Sequence, residues 1–151
     1  MVEAVTYWNG QPVAYFDGNG TSFIHQDALG TKRAETNYQY VEGNYADNLS
    51  TYTSLPFGDG YGDGYGNGGI NGDAMHFALL DHDSASGTEH AQFRQYNSGW
   101  GQWMSPDPYD GSYSPRNPQS FNRYAYALNR PLSATDSRGL DLPVIGLGDG
   151  G

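Results

Sequence analysis

The chain has 151 residues, a formal net charge of -10 and no cysteine. This length predicts one domain with a single core, and the shortage of lysine and arginine argues against nucleic acid or anionic membranes as partners. The absence of cysteine excludes disulfides, thiolate metal sites and thiol nucleophiles.

Thirteen tyrosines and 22 glycines, with only 16% charged residues, predict a mainly β fold of short strands and tight turns. This composition is typical of exported bacterial β proteins, so we expect an extracellular or cell-surface location. No apolar run approaches membrane-spanning length, so no membrane insertion is expected. The first residues lack the basic and apolar regions of a signal peptide, so export would require a signal already removed or another route.

The first thirty residues predict an antiparallel meander. Val2 to Trp8 alternates as a strand, and Asn9-Gly10 is a strong hairpin signal. Pro12 to Phe16 supplies the returning strand, and Thr21 to His25 supplies a third. The sheet is expected to continue through Asn37 to Gly43 and Ser50 to Leu55, which are rich in Tyr, Val and Thr.

A glycine-rich loop is predicted next. Residues 58–72 are of low complexity, and glycine permits backbone conformations that a loop uses. Asp59, Asp63 and Asp73 make a calcium site one interpretation, because calcium takes carboxylate oxygens from flexible loops. A loop without a metal is the interpretation that we favour, and no other cofactor is expected.

The middle of the chain predicts short elements and turns. Ala74 to Leu80 fits either a strand or a short helix, Asp81 to Gly87 a turn, and Thr88 to Tyr96 one strand. Asn97-Ser98-Gly99 is expected to turn the chain into Trp100 to Met104. Several histidines and aspartates here are metal ligands by type, but their spacing matches no helical two-histidine motif, so surface turns are favoured. They are His76, Asp81, His82, Asp83 and His90.

One short helix is predicted near residues 118–128. Asn117 is a good N-cap, and Pro118 suits the first helical position. The stop is expected at Asn129-Arg130-Pro131. Four apolar residues then share one face at helical spacing and are expected in the core. They are Phe121, Tyr124, Ala125 and Leu128.

The order of several motifs resembles the RHS repeat-associated core domain. His25 to Arg33 is similar to the His-x-Asp-x-Leu-Gly-x-x-Arg variant of its tyrosine-aspartate (YD) repeats. The more specific segments are Arg94 to Asn97, Gly101 to Pro108, Asn122 to Pro131 and Asp136 to Leu140. The resemblance covers most of residues 12–140 and implies a tyrosine-rich YD-repeat-like sheet that closes one end of a shell. Two positions depart from the family pattern, Gln102 for an arginine and Ser137 for a proline.

The resemblance also implies an aspartyl self-cleaving site. Carried over residue by residue, Asp107 and Asp136 form the carboxylate pair, Arg94 is the neighbouring cation, and Leu140 to Asp141 is the scissile bond. Two close carboxylates do not both ionise easily, so one can act as general acid while the other activates water. The alternative is that both aspartates hold turns and Arg94 is a packing partner.

Two main functions therefore remain open, and carbohydrate binding on tyrosine and tryptophan faces is a weaker third. We favour a structural or assembly module of residues 1–140 with an apolar tail at 141–151, which associates with copies of itself into an oligomer or polymer. The tail residues Leu142, Val144, Ile145 and Leu147 suit strand addition to a neighbour. The alternative is an autoprotease that cuts once after Leu140. Toxin delivery is rejected, because the chain is too short to enclose a cargo and too little follows the cut for a toxin domain.

Overall fold

The computed structural model describes residues 4–16, 20–41, 44–63, 76–140 and 144–145. Six strands form the first sheet, in the chain order β1 to β6, each antiparallel to the next. This meander confirms the prediction of a mainly β fold. The strands are β1 Ala4–Trp8, β2 Gln11–Phe16, β3 Thr21–Gln26, β4 Lys32–Val41, β5 Asn44–Thr53 and β6 Gly62–Asp63.

The hairpin between β1 and β2 is the one that the sequence predicts. Asn9 and Gly10 both have positive φ, 49° and 76°. A two-residue hairpin turn of type I′ requires positive φ at both central positions, which Asn and Gly tolerate best. Trp8 therefore pairs directly with Gln11.

The turn between β3 and β4 is held by Asp27. Its Oδ1 accepts hydrogen bonds from the backbone N–H groups of Leu29 (2.9 Å) and Thr31 (3.0 Å), and its Oδ2 accepts one from Arg33 Nε at 2.8 Å. Gly30 adopts φ +79°, and a Cβ there would lie 2.5 Å from Leu79 Cγ. The RHS-like motif thus has a structural role at this turn.

Residues 76–80 form a compact turn, so the expected strand or short helix at Ala74 to Leu80 is wrong over this part. Ala78 and Leu79 have positive φ, and Leu80 donates its N–H to the Phe77 carbonyl. The His76 carbonyl accepts a hydrogen bond from the N–H of Lys32 on β4. The turn is thereby tied to the first sheet.

Four shorter strands form a second sheet in the order β10, β9, β8 and β7. They are β7 Asp81–Asp83, β8 Thr88–His90, β9 Gln95–Asn97 and β10 Gln102–Trp103. The single strand expected from Thr88 to Tyr96 is therefore interrupted. Ala91 donates its N–H to the carbonyl of Arg94, which closes a turn between β8 and β9.

The core lies beside this second sheet and is mostly aromatic. Tyr96, Trp103 and Tyr126 are at most 1% exposed, with ring centroids 4.8 to 5.9 Å apart. Phe77 stacks against Tyr96 at 5.7 Å and so joins the 76–80 turn to the core. Offset and tilted pairs of this kind add to the free energy gained from burying the rings.

The predicted continuous helix is wrong beyond its first turn. Asn117 does cap a helix that begins with Pro118, accepting the Gln119 N–H, but this 3-10 helix ends at Phe121. A second 3-10 helix, Tyr126–Asn129, contains left-handed residues at Ala127 and Leu128. Phe121 and Tyr124 are exposed, and Tyr126 and Ala127 are buried instead.

The last described elements are β11 Ala134–Thr135 and β12 Val144–Ile145, which pair antiparallel. The apolar tail thus has a strand partner in its own chain. Across the described ranges, no helix combines the length and apolar character needed to cross a bilayer. The division into a domain at 1–140 and a tail remains a prediction.

Candidate functional site

Arg94 stands at the centre of the predicted acid pair. It follows the break between β8 and β9, where the turn at Ala91 directs the chain inward. Its side chain is almost fully buried, and its guanidinium carbon lies 4.4 Å from the Trp103 ring centroid. A planar cation packs well on an aromatic face and keeps its N–H donors directed outward from the edge of the group.

Both predicted aspartates contact this guanidinium. Arg94 Nη2 lies 2.9 Å from Asp136 Oδ2 and 3.3 Å from Asp107 Oδ2. Both carboxylates are buried, with residue exposures of 3% and 6%. One arginine therefore bridges two acids that are 29 residues apart in the chain, and the structure brings all three predicted residues together.

Asp136 also holds the segment that leads to the predicted cut. Its Oδ1 accepts the backbone N–H groups of Gly139 at 2.8 Å and Leu140 at 3.1 Å. Arg94 Nε donates to the Gly139 carbonyl at 2.5 Å. The backbone immediately before Leu140 is consequently fixed by one acid and the arginine together.

Gly139 makes this close approach possible. Its φ is +75°, and an added Cβ would lie 3.2 Å from the Cβ atoms of both Ala91 and Arg94. Left-handed backbone and a short distance to a neighbour both favour glycine. The backbone conformation and the close neighbours therefore explain why residue 139 is a glycine.

Asp107 is positioned by the Trp-Met-Ser-Pro-Asp-Pro segment. Its N–H donates to the Arg123 carbonyl at 2.9 Å, and its Oδ1 accepts the Tyr109 N–H at 2.8 Å. Arg94 Nη1 donates to the same Arg123 carbonyl at 3.1 Å. The Asn122 to Pro131 segment thus supports both the acid and the cation.

A cavity of about 30 Å³ opens against these groups. This volume exceeds the roughly 10–15 Å³ needed to hold a water molecule, and the walls supply several polar partners. The polar lining residues are Arg94, Asp107, Ser112, Ser120, Asn122, Arg123 and Asp136. The site has room for the water that hydrolysis requires.

Burial and the acids act in opposite directions on Arg94. Removal from water lowers the pKa of its guanidinium below the ordinary value, while Asp107 and Asp136 raise it. An arginine starts from a pKa so high that it stays charged at neutral pH. The site therefore contains a fixed positive charge facing two carboxyl groups.

The other predicted site residues have different outcomes. The scissile bond begins at Leu140, which is described, but Asp141 lies outside the described residues. Asp59 is exposed in a turn, whereas Asp73 and the side chain of Asp63 lie outside the described residues, so calcium binding remains a prediction.

The expectation of surface turns is wrong for His76. This histidine is 1% exposed, and burial, with smaller contributions from His82 and Lys32, lowers its pKa to about 3. Glu89, which the sequence reasoning missed, is also buried and lies beside His82. No pattern marks it, because Thr88, Glu89 and His90 are all polar and the buried member of such a strand cannot be identified from periodicity.

Comparison with known proteins identifies the fold. A Tc holotoxin pore of Photorhabdus luminescens, with an aspartate-to-alanine mutation in TccC3, matches 86% of this chain at 20% identity and a TM-score of 0.60. The complex TcdB2-TccC3 without its hypervariable C-terminal region matches 83% at 20% identity and a TM-score of 0.58. TcdB2-TccC3-Cdc42 matches 84% at 20% identity and a TM-score of 0.57.

These matches show that the chain shares its β fold with a part of each of these Tc toxin structures. The chain spans about 5% of the length of each of these structures. No family model and no curated protein matches the sequence.

Proposed function

We propose that this chain is an aspartyl self-cleaving module that hydrolyses its own peptide bond after Leu140. The observation that carries the proposal is that two side chains, Arg94 and Asp136, bind the backbone of residues 139 and 140. Arg94 binds the Gly139 carbonyl while Asp136 accepts the Leu140 N–H, and Asp107 contacts the same guanidinium nitrogen, Nη2, as Asp136. A catalytic pair must hold the reacting bond in place, and these contacts hold the residues just before it.

The roles follow from the geometry and from acid–base chemistry. A water molecule in the cavity loses a proton to one carboxylate, and its oxygen adds to the Leu140 carbonyl carbon. The other carboxyl group, carrying its proton, donates it to the nitrogen of Asp141 as the carbon–nitrogen bond breaks. Arg94 is a positioning residue that orients both acids and stabilises the negative charge that remains. The products are a carboxylate on Leu140 and a free amine on Asp141.

The test is the intact mass of the purified chain under denaturing conditions. Wild type should give two species that separate after Leu140, and Asp107→Asn and Asp136→Asn should each give one uncut species. Asp110→Asn is the matched control, because Asp110 is fully exposed near the same cavity and pairs only loosely with Arg123 at 3.6 Å. Wild type that stays uncut from acidic to neutral pH would contradict the proposal, as would cutting by both asparagine variants.

A second candidate, an assembly module, is favoured by the exposure of β1. Within the described residues this strand pairs with β2 alone, and all five of its residues are exposed. Val5, Tyr7 and Trp8 expose 40%, 53% and 77% of their surface. An open, apolar edge strand is a template for adding a strand from another copy.

Self-association has its own test. Sedimentation of wild type should show a size that grows with concentration, and Val5→Lys should lower it because a charge on an edge strand opposes pairing. Deletion of residues 141–151 tests the tail as the alternative contact. A monomer at high concentration in wild type would exclude this function. The extracellular location remains a proposal, which fractionation of the producing cells would test.

A further inference from the structure

A cluster of two histidines and a glutamate lies away from the acid–arginine site, where the 76–80 turn meets the second sheet. His76 belongs to the turn, His82 to β7 and Glu89 to β8. One donor atom from each of the three residues lies within 4.8 Å of the other two. Three consecutive elements of the chain thus converge on one point.

Buried polar atoms in this cluster are not satisfied by the protein. Both ring nitrogens of His76 and the Oε2 atom of Glu89 are buried without a hydrogen-bond partner. Such atoms cost free energy unless something pairs with them, and native structures contain few. A group bound at this point would supply the missing contact for one His76 ring nitrogen and for Glu89 Oε2.

The packing holds the two rings in place. His76 lies between Tyr61, with centroids 4.7 Å apart, and His82, at 4.5 Å. His82 Nδ1 lies 3.0 Å from Glu89 Oε1, so the carboxylate is already oriented toward the histidine pair.

Their chemistry selects the ligand class. Imidazole nitrogens with one carboxylate oxygen suit zinc and neighbouring transition metals, and do not suit calcium, which prefers oxygen alone. Zinc–nitrogen bonds of about 2.0–2.1 Å place tetrahedral donors about 3.3 Å apart. The cluster must therefore contract by roughly 1–1.5 Å, and the stacked imidazole rings must turn so that one nitrogen of each is directed at the ion.

We propose that His76, His82 and Glu89 bind one zinc-class divalent cation, with solvent at the fourth position. This site goes beyond the proposed self-cleavage and has a structural purpose. The His76 carbonyl already accepts the N–H of Lys32 on β4, so a metal on its ring would tie the first sheet to β7 and β8. The charge of Lys32 opposes the cation, and its pairing with Glu35 at 3.4 Å reduces that opposition.

The test uses the full chain without a polyhistidine tag, stripped of metal and titrated with cobalt(II), then with competing zinc. Wild type should bind one equivalent, with the visible absorption of tetrahedral cobalt, and zinc should displace it and raise the unfolding midpoint. His76→Phe, which preserves the stacking on Tyr61, and Glu89→Gln should each weaken binding by about tenfold or more, at least the loss that follows from removing an outer-shell partner.

His25→Gln is the matched control, because His25 is exposed on β3 and bonds only to Thr36 at 2.9 Å among the described contacts. It should bind cobalt like wild type. Near-ultraviolet circular dichroism reports whether each variant keeps the aromatic core, and if His76→Phe does not fold, Glu89→Gln decides. The proposal would be overturned if wild type bound no cobalt, or if the folded variants bound it with the same affinity as wild type. The His82–Glu89 contact would then be a hydrogen bond without a metal.

Discussion

Two of the buried clusters of charge among the described residues are built differently. In the first sheet, Lys32 pairs with Glu35, and the phenols of Tyr15 (2.5 Å) and Tyr52 (3.2 Å) donate to the same carboxylate. One cation meets one acid, and hydroxyl donors complete the pair. Such a cluster is neutral and closed, which is what a structural role requires.

The acid–arginine site has a different balance. Arg94 contacts both Asp107 and Asp136, and a cavity of about 30 Å³ adjoins all three. Two acids therefore share one bridging guanidinium beside a space for water, and Arg123 also lines that space. The comparison teaches that both clusters are buried, and that the sharing of one cation by two acids beside a cavity distinguishes the acid–arginine site from the lysine–glutamate pair.

The largest expected effect is that of Arg94→Met. It removes the cation that contacts both buried acids, so the free energy of unfolding should fall by about 3–5 kcal/mol. Urea unfolding in an uncut Asp107→Asn background, where Asp136 is the acid that loses its cation, checks this value without interference from cleavage. An equal loss in Arg94→Met and Lys32→Met would erase the distinction between the two clusters.

The second-largest expected effect is a loss of folding stability at alkaline pH, which arises from tyrosines of the aromatic core. Burial raises the pKa of Tyr96 and of Tyr126 well above the ordinary value. Above pH about 10 the unfolded chain loses these protons while the folded chain keeps them, so stability falls with rising pH. Each phenol should contribute about 1.4 kcal/mol per pH unit.

Urea midpoints at successive pH values, with phenolate absorbance in parallel, measure this fall. Tyr96→Phe is the matched variant. It loses the hydrogen bond to the Phe57 carbonyl, but the fall of stability with pH should become less steep by the contribution of one phenol. A slope unchanged in Tyr96→Phe would show that this phenol does not account for the alkaline loss.

Lys32→Met should cost less than the arginine variant, about 1–2 kcal/mol. Methionine keeps the apolar stem, and Glu35 retains its two phenol donors. The same urea experiment measures the change. A loss of stability greater than that of Arg94→Met would mean that the fold depends more on the Lys32 cluster than on the Arg94 cluster.

The smallest effect expected is that of Gly139→Ala. Both Gly139 and Gly87 have positive φ, +75° and +66°, but only Gly139 has neighbours within 4 Å of an added Cβ. Both alanine variants should lose about 1 kcal/mol from backbone strain, and Gly139→Ala should also slow self-cleavage. Equal cleavage rates in the two variants would show that the approach of Gly139 to Arg94 does not matter for the reaction.

The parts that could be predicted from the sequence are local or motif-based. Asn9-Gly10 specifies its hairpin because both residues tolerate positive φ, and alternation specifies β1 to β3. Arg94, Asp107 and Asp136 were identified through the resemblance to a family. Their spacings of 13 and 29 residues carry no signal that they meet.

The parts that could not be predicted depend on tertiary packing. Phe121, Tyr124, Ala125 and Leu128 have helical spacing, yet the backbone becomes left-handed at Ala127 and Leu128. That turn buries the Tyr126 ring between Tyr96 and Trp103, a gain that local propensity does not include. The burial of His76 likewise follows from its neighbours in space.

The pairing of β11 with β12 has a consequence for the proposed cut. Ala134 and Thr135 precede Leu140, and their partners Ile145 and Val144 follow it, so the broken bond would lie in the loop of a small hairpin. Before cleavage the two strands have a mutual effective concentration in the millimolar range, set by the short connection. Afterwards the same two residue pairs must hold a separate peptide. Hydrolysis would therefore turn an intramolecular strand pairing into a bimolecular one. The cleaved peptide would then dissociate on dilution, and the broken bond would not form again.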